Sequence, residues 1–346
     1  MTDLLRNLWY LALPAKAVRR GETFAKVLLG EPILFGRDQA GAVFALRDIC
    51  PHRGIPLSDG RFDGCEVACC YHGWRFDTEG RCTAIPALAE GQKLNLARIK
   101  VHRYPCREVQ GNLWVYIGDK EKPEDSLPEV PQVPVIDEAL PKVQISMEFA
   151  CNVDHAVVGL MDPSHAPYVH TSWWWKSKKR RELRLKEKHY EPAPMGFRMT
   201  RHPNPEGGQV YRLLGKNVTT EITYTLPGVR VEHVQGDRYA ALSLTAVTPL
   251  TDTETEVHQC LYWTMPWLAP LTPVVRKLAK TFLGQDFDVV MRQQRGLRFN
   301  PSLMLIDDAD TQAKWYYKLK REYLACAAEG RAFVNPIEAR TLRWRS

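Results

Sequence analysis

The sequence predicts an α+β fold in two units: a small all-β unit, then an antiparallel sheet with flanking helices. Three observations carry this. Short strand-like runs broken by glycine turns fill the first third. A charged and then proline-rich stretch follows, and after it come neighbouring strand patterns and two long helical ones.

In the first unit the strand-like runs are "EPILFGRDQAGAVFAL", "RFDGCEVACCYHGWRFDTEGRC" and "GNLWVYIGD", with Gly60, Asp63-Gly64 and Glu79-Gly80 as breakers. The unit ends near Asp119. "KEKPEDSLPEVPQVPVIDEALP" has linker composition, which sets the domains at 1–120 and 121–346 with 121–142 as the connection. In the second unit "TTEITYTLPGVRVEHVQG", "RYAALSLTAVTPL" and "TEVHQCLYWTMPW" read as neighbouring antiparallel strands. Helical patterns follow over Val274 to Leu297 and Asp310 to Glu329. There is no internal repeat and no low-complexity tract.

A chain of 346 residues has room for two cores. Its net charge of +7 is scattered apart from "KSKKRR", Lys176 to Arg181, which favours a mildly basic soluble protein over a nucleic-acid binder. The start, "MTDLLRNLWYLALP", holds an acid and an arginine inside its apolar run, so it does not read as a signal peptide. No apolar run reaches the length of a membrane span. Nine cysteines without a secretory signal are expected to be reduced thiols or metal ligands, in a cytoplasmic protein. The "NVT" at Asn217 is accordingly not expected to be glycosylated.

Five of the cysteines, Cys50, Cys65, Cys69, Cys70 and Cys82, crowd into one short region. Within it "CPHRG" and "CCYHGW" set Cys50 and His52 against Cys69 and His72. Two thiolates and two imidazoles can close a tetrahedral zinc site, or hold a two-iron cluster with cysteines on one iron and histidines on the other. Residue type alone does not decide. Each pair lies on a tight loop, and Gly54, Gly60, Gly64 and Gly73 let two such loops fold over a cluster.

This pattern resembles the ligand signature of a Rieske iron–sulfur domain. The resemblance implies Cys50 and Cys69 on one iron of a [2Fe-2S] cluster and His52 and His72 on the other. Cys70-x-His72 would repeat the spacing of Cys50-x-His52, but the family's C-x-x-H picks Cys69 and leaves Cys70 as a small buried apolar residue.

Further on, "MDPSHAPYVH" sets Asp162 beside His165 and His170. It resembles the D-x-x-H-x-x-x-x-H segment of Rieske non-haem iron oxygenases. There the two histidines and a downstream carboxylate bind a mononuclear Fe(II), leaving open positions for O2. In "LGQDFDVVMRQQRGL" the family's distance to a Gly-Leu pair selects Asp286 over Asp288. The acids of "IDDAD", Asp307, Asp308 and Asp310, are expected to cap the last helix. For Asp162 the resemblance implies a bridge between a cluster histidine of one subunit and an iron histidine of the next, along His72, Asp162 and His165, in a homotrimer. Fixing the tautomer of a ligand histidine is its other role.

The resemblance further implies a catalytic domain of the helix-grip kind, O2 activated at the iron, and electrons delivered by the cluster. The chain shows neither a G-x-G-x-x-G turn nor a C-x4-C-x2-C run, so those electrons come from a separate NAD(P)H-dependent reductase, with or without a ferredoxin. "NLWYLALP" and "GLRFNPSLMLIDDAD" resemble the monooxygenase and demethylase branch typified by vanillate demethylases. Hydroxylation or O- or N-demethylation of an aromatic or other small organic molecule is the expected reaction, and cis-dihydroxylation of an arene is the alternative. A zinc-stabilised binding module and a bare Rieske electron carrier are the alternatives from other classes.

Two stretches are weighed as substrate contacts. His233, Leu242, Leu244, Trp263 and Met265 alternate as a cavity lining would, or as one face of a core sheet. "SWWWKSKKRR", Ser172 to Arg181, reads as an entrance loop for an aromatic acid or as a packed turn with a solvated end.

Overall fold

The first unit, Arg6–Gln132, is cut into short strands because glycine and Asx turns interrupt it every few residues. Its strands are β1 (Leu8–Pro14), β2 (Thr23–Leu28), β3 (Glu31–Arg37), β4 (Val43–Arg47), β5 (Arg61–Phe62), β6 (Glu66–Ala68), β7 (Arg75–Asp77), β8 (Cys82–Ala84), β9 (Cys106–Val109) and β10 (Asn112–Ile117). They form three antiparallel sheets, ordered β1-β10-β9, β2-β3-β4 and β5-β6-β7-β8. The turn after β7 needs Gly80: it sits at φ 78° with its amide bonded to Asp77. A Cβ there would come within 2.3 Å of the Val101 carbonyl. Cys50 and Cys69 are part of the core, packed with Leu34, Phe44, Leu57, Val67 and Phe76.

The computed structural model describes residues 4–118, 123–134, 140–172, 183–203 and 209–346. The division between the units falls at Gln132/Val133, inside the stretch read as the linker.

The second unit contains β11 (Val143–Phe149), α1 (Val153–Met161), α2 (Ala166–Val169), β12 (Leu185–Ala193), β13 (Gly196–Pro203), β14 (Thr219–Thr225), β15 (Val229–Gln235), β16 (Ala240–Pro249), β17 (Thr255–Trp263), α3 (Thr272–Leu297), α4 (Thr311–Glu329) and β18 (Arg340–Arg345). The strands make one eight-stranded antiparallel sheet, ordered β11-β17-β16-β15-β14-β13-β12-β18. The expected α+β class is the one observed. The strands and helices read from the sequence are β14 to β17, α3 and α4. The half-exposed "LKEKHYEPA" of β12 and the short α1 and α2 escaped that reading.

Helix α4 packs on the sheet through aromatic rings: Trp315 lies 5.2 Å from Phe197, and Tyr316 meets Tyr224 edge-on. It is tied to α1 by a partly buried ion pair, in which Lys320 Nζ reaches both carboxylate oxygens of Asp154 at 2.7 and 2.8 Å. The Tyr316 hydroxyl donates to the same carboxylate. The expected acidic cap of α4 is corrected in part. Asp310 occupies the N-cap position, but its carboxylate accepts the Ile306 amide instead of a helix amide. Asp307 and Asp308 are held by Lys314 and Arg340. Among the described residues no helix is long and apolar enough to cross a membrane.

Candidate metal centres

The two cysteine loops of the first unit have the same backbone wiring. Cys50 N–H donates to the Ile55 carbonyl and Cys69 N–H to that of Trp74, both at 2.8 Å. Gly54 and Gly73 then donate back to the Cys50 and Cys69 carbonyls at 2.9 and 3.0 Å. Both glycines sit at positive φ, 76° and 69°, which a side chain would strain. This equivalence pairs Cys50 with Cys69. Cys70 is exposed, which corrects its reading as a buried apolar residue.

The loops bring their side chains together. The His52 and His72 rings lie 4.4 Å apart, and Trp74 stacks on His52 at 4.5 Å and 6°. His72 Nδ1 is buried and has no hydrogen-bond partner among the described residues. Burial pushes the Cys50 thiol pKa up, and the neighbouring Cys69 thiol adds to it. Two crowded thiols and an orphaned imidazole nitrogen fit a positive group between them.

In the second unit the histidine segment folds as two helices with a break. Asn152 caps α1 by accepting the Asp154 amide, and Pro163 follows its C-cap residue Asp162. On one unbroken helix, residues five apart would point about 140° away from each other. Here His165 and His170 instead bracket the single turn of α2, and His170 leaves it at φ −86°, ψ 81°. Their Nε2 atoms meet 3.1 Å apart. Asp286 Oδ1 of α3 lies 3.4 Å from each.

These three donors converge on one point and are the one metal-compatible His/Cys/Asp/Glu group of this kind among the described residues. Asp286 is 8% exposed and falls on the buried stripe Ala279, Leu283, Asp286 and Val290, whereas Asp288 is exposed. Gly159 of α1 faces Val290, and a Cβ there would press on its Cγ2 at 3.3 Å, so the glycine lets α3 come close. Burial works to lower the His165 pKa, but the Asp286 and Asp162 carboxylates outweigh it and raise it. The same negative field attracts a cation.

Asp162 supports this site directly. Its carbonyl accepts His165 Nδ1–H at 2.6 Å, which leaves Nε2 as the ring nitrogen that faces the point shared with His170 and Asp286. Its carboxylate takes both Ser164 bonds on Oδ1, at 2.7 Å, and Oδ2 has no bond among the described residues.

Comparison with known proteins matches residues 8–105 to the Rieske [2Fe-2S] domain and residues 149–317 to the vanillate O-demethylase oxygenase C-terminal domain. Its two units match, in order, the two domains of a Rieske oxygenase. Within 168-residue stretches it is 34% identical to the dicamba O-demethylase oxygenase component of Stenotrophomonas maltophilia and 34% identical to the chloroplastic chlorophyllide a oxygenase of Chlamydomonas reinhardtii. These cover 48% and 49% of this chain, and 48% and 25% of the relatives' own lengths. The 3-chlorobenzoate-3,4-dioxygenase oxygenase subunit of Comamonas testosteroni is 32% identical over 49% of the chain and 39% of its own. The chain thus spans about half or less of the curated relatives it matches. Its fold is that of dicamba monooxygenase solved with dicamba, at TM-score 0.73 and 22% identity over 94% of this chain and 98% of that one. The family carries a [2Fe-2S] cluster and a mononuclear iron, and both donor sets described above fit those groups.

The pocket set read from the sequence does not form one surface in the second unit. His233 pairs with Leu242 and Val231 with Leu244, which puts His233, Leu242 and Leu244 on one sheet face. Trp263 pairs with Ala241 and lies on the other, packed with Met265, Val143 and Val275 of α3. The face that Trp263 shares with the helices also carries the cross-strand row Arg230, Thr245 and Gln259. Arg230 is held by Glu232 at 2.9 Å, and Gln259 Oε1 is buried without a partner among the described residues. Of "SWWWKSKKRR" only Ser172 belongs to the described residues. Sequence reasoning missed Gln259 because a polar residue inside a strand carries no signal until its face is known.

Proposed function

We propose that this chain is the terminal oxygenase of a monooxygenase or demethylase system that hydroxylates, or removes an O- or N-methyl group from, a small organic substrate, aromatic in the first instance. The observation that carries the proposal is the convergence of His165, His170 and Asp286 in a chain that also holds the paired Cys50 and Cys69 loops.

In this reading Cys50 and Cys69 hold one iron of the cluster and His52 and His72 the other, within domain 1–120. His165, His170 and Asp286 hold a single Fe(II) within domain 121–346, reached through the linker 121–142. When bound, the two groups supply electron storage and O2 activation. The chain's own residues orient and protect them. The Asp162 carbonyl fixes which His165 nitrogen faces the metal, and Asp286 balances the metal's charge from one side only. A metal held by these three donors would keep positions for O2 and substrate. Gln259 Oε1 presents an acceptor to a substrate N–H or O–H, since Glu232 already neutralises Arg230.

Asp162 is assigned the bridge between subunits, with its free Oδ2 toward a partner's cluster histidine, which calls for a homotrimer with one cluster and one Fe(II) per subunit. Electrons then arrive from a separate NAD(P)H-dependent reductase, directly or through a ferredoxin, and the compartment is cytoplasmic. The zinc-module reading is set aside by the Rieske match, and the bare carrier by the match over residues 149–317. The dioxygenase relative keeps arene dihydroxylation as a defined outcome of the test.

The test is turnover with a surrogate reductase, NADH and a panel of methoxy- and N-methyl-arenes. Substrate-dependent O2 uptake with formaldehyde release, lost in His170→Ala, supports the proposal. A cis-diol product moves the chain to dihydroxylation, and O2 uptake that is the same in His170→Ala removes the iron-site reading.

A further inference from the structure

Helix α3 contributes more to this site than Asp286. Residues three and four apart share one face of a helix, and "FLGQD" places Phe282, Gln285 and Asp286 at i, i+3 and i+4. All three act on His170. The Phe282 ring stacks on the imidazole at 3.6 Å and 15°. Gln285 Oε1 lies 3.2 Å from His170 Nδ1, and Asp286 Oδ1 lies 3.4 Å from Nε2. The amide is oriented in turn: Gln285 Nε2 donates to Ser172 Oγ at 2.9 Å, so its carbonyl oxygen is the end that faces His170.

The geometry points to Gln285 as a positioning residue that, with Ser172, fixes the tautomer and ring angle of His170. Accepting from Nδ1–H leaves Nε2 unprotonated and aimed at the metal position, which is the condition for ligation. The two histidines are thus served differently: His165 by a backbone carbonyl that no substitution removes, His170 by a side chain that one substitution can. His170 is 3% exposed, so no bulk water is at hand to replace the lost acceptor. This inference rests on the iron reading of the site.

The test uses full-length protein with its cluster intact, stripped of mononuclear metal by a chelator and titrated anaerobically with Co(II), which is followed by its d–d absorption. Gln285→Met keeps the length and removes the acceptor; Gln285→Glu keeps the acceptor. Gln285→Met is expected to weaken Co(II) binding about 10–100-fold, the usual loss when such an outer partner of a ligand histidine is removed. Gln285→Glu is expected to stay within a few-fold of the unaltered protein, and Ser172→Ala to fall between them. Equal affinity and an unchanged d–d spectrum in Gln285→Met would overturn the role of Gln285 while leaving the iron reading intact. If Gln285→Glu binds as weakly as Gln285→Met, the acceptor is not what matters and the inference also fails. If His170→Ala binds Co(II) as well as the unaltered protein does, the iron reading itself fails.

Discussion

His165 Nε2 and His170 Nε2 stand 3.1 Å apart with Asp286 Oδ1 at 3.4 Å from each. Two metal bonds of about 2.1 Å meeting near a right angle leave their donor atoms about 3 Å apart. With both Nδ1 atoms facing acceptors, the two Nε2 lone pairs face each other, and that repulsion is relieved by a shared cation.

Asp286→Asn removes the charged donor and keeps the volume. Iron content is expected to fall from about three to about two per chain while labile sulfide stays near two, since the cluster ligands are untouched. Iron and sulfide assays on one sample check this; a proportional loss of both would mean that the substitution acts through folding.

The matched loops make a sharp distinction between neighbouring cysteines. Cys69→Ser is expected to bleach the visible absorption, and Cys70→Ser, at an exposed position outside the paired wiring, to leave it within about 10%. A Cys70→Ser protein without colour would reverse the assignment.

Lys320 is 8% exposed and bonded to both oxygens of Asp154, at the first turn of the helix that leads to Asp162. Lys320→Ala leaves the partly buried Asp154 carboxylate with the Tyr316 hydroxyl as its remaining side-chain donor and is expected to cost about 1–3 kcal/mol in the second unit. Denaturant midpoints followed by tryptophan fluorescence measure it.

Glu31 gives the first unit an acid-sensitive tie. Burial tends to raise its pKa, but the hydrogen bonds from Tyr104 and Arg6 and the Arg6 charge outweigh burial and lower it below 4.5. A carboxylate with a lowered folded pKa stabilises fully above its unfolded value and loses that stabilisation as pH falls through the folded one. Glu31→Gln should therefore be less stable than the unaltered chain at neutral pH, and the gap should close below pH 4.5. Paired urea melts across that range test it; a gap that widens in acid contradicts the assignment.

Much of this is legible in the sequence alone. Clustered Cys/His pairs with glycine identify loops, and Asp286 is readable twice, by its place before Gly296-Leu297 and by its position on the apolar stripe of α3. The cavity set failed because parity along one strand does not say how its neighbour is registered: His233 and Trp263 fall on opposite faces only once β15, β16 and β17 are paired. Gln285 was invisible for a related reason. Its partner is 115 residues away, and only the convergence of α2 and α3 makes it a neighbour of His170.

The central claim, two different iron centres on one chain, is tested most directly by counting iron and acid-labile sulfide on anaerobically purified protein, with EPR before and after dithionite. The account predicts about three irons to two sulfides and a [2Fe-2S] signal that appears only on reduction. A colourless protein holding zinc, or iron equal to sulfide with none left for His165, His170 and Asp286, would contradict it.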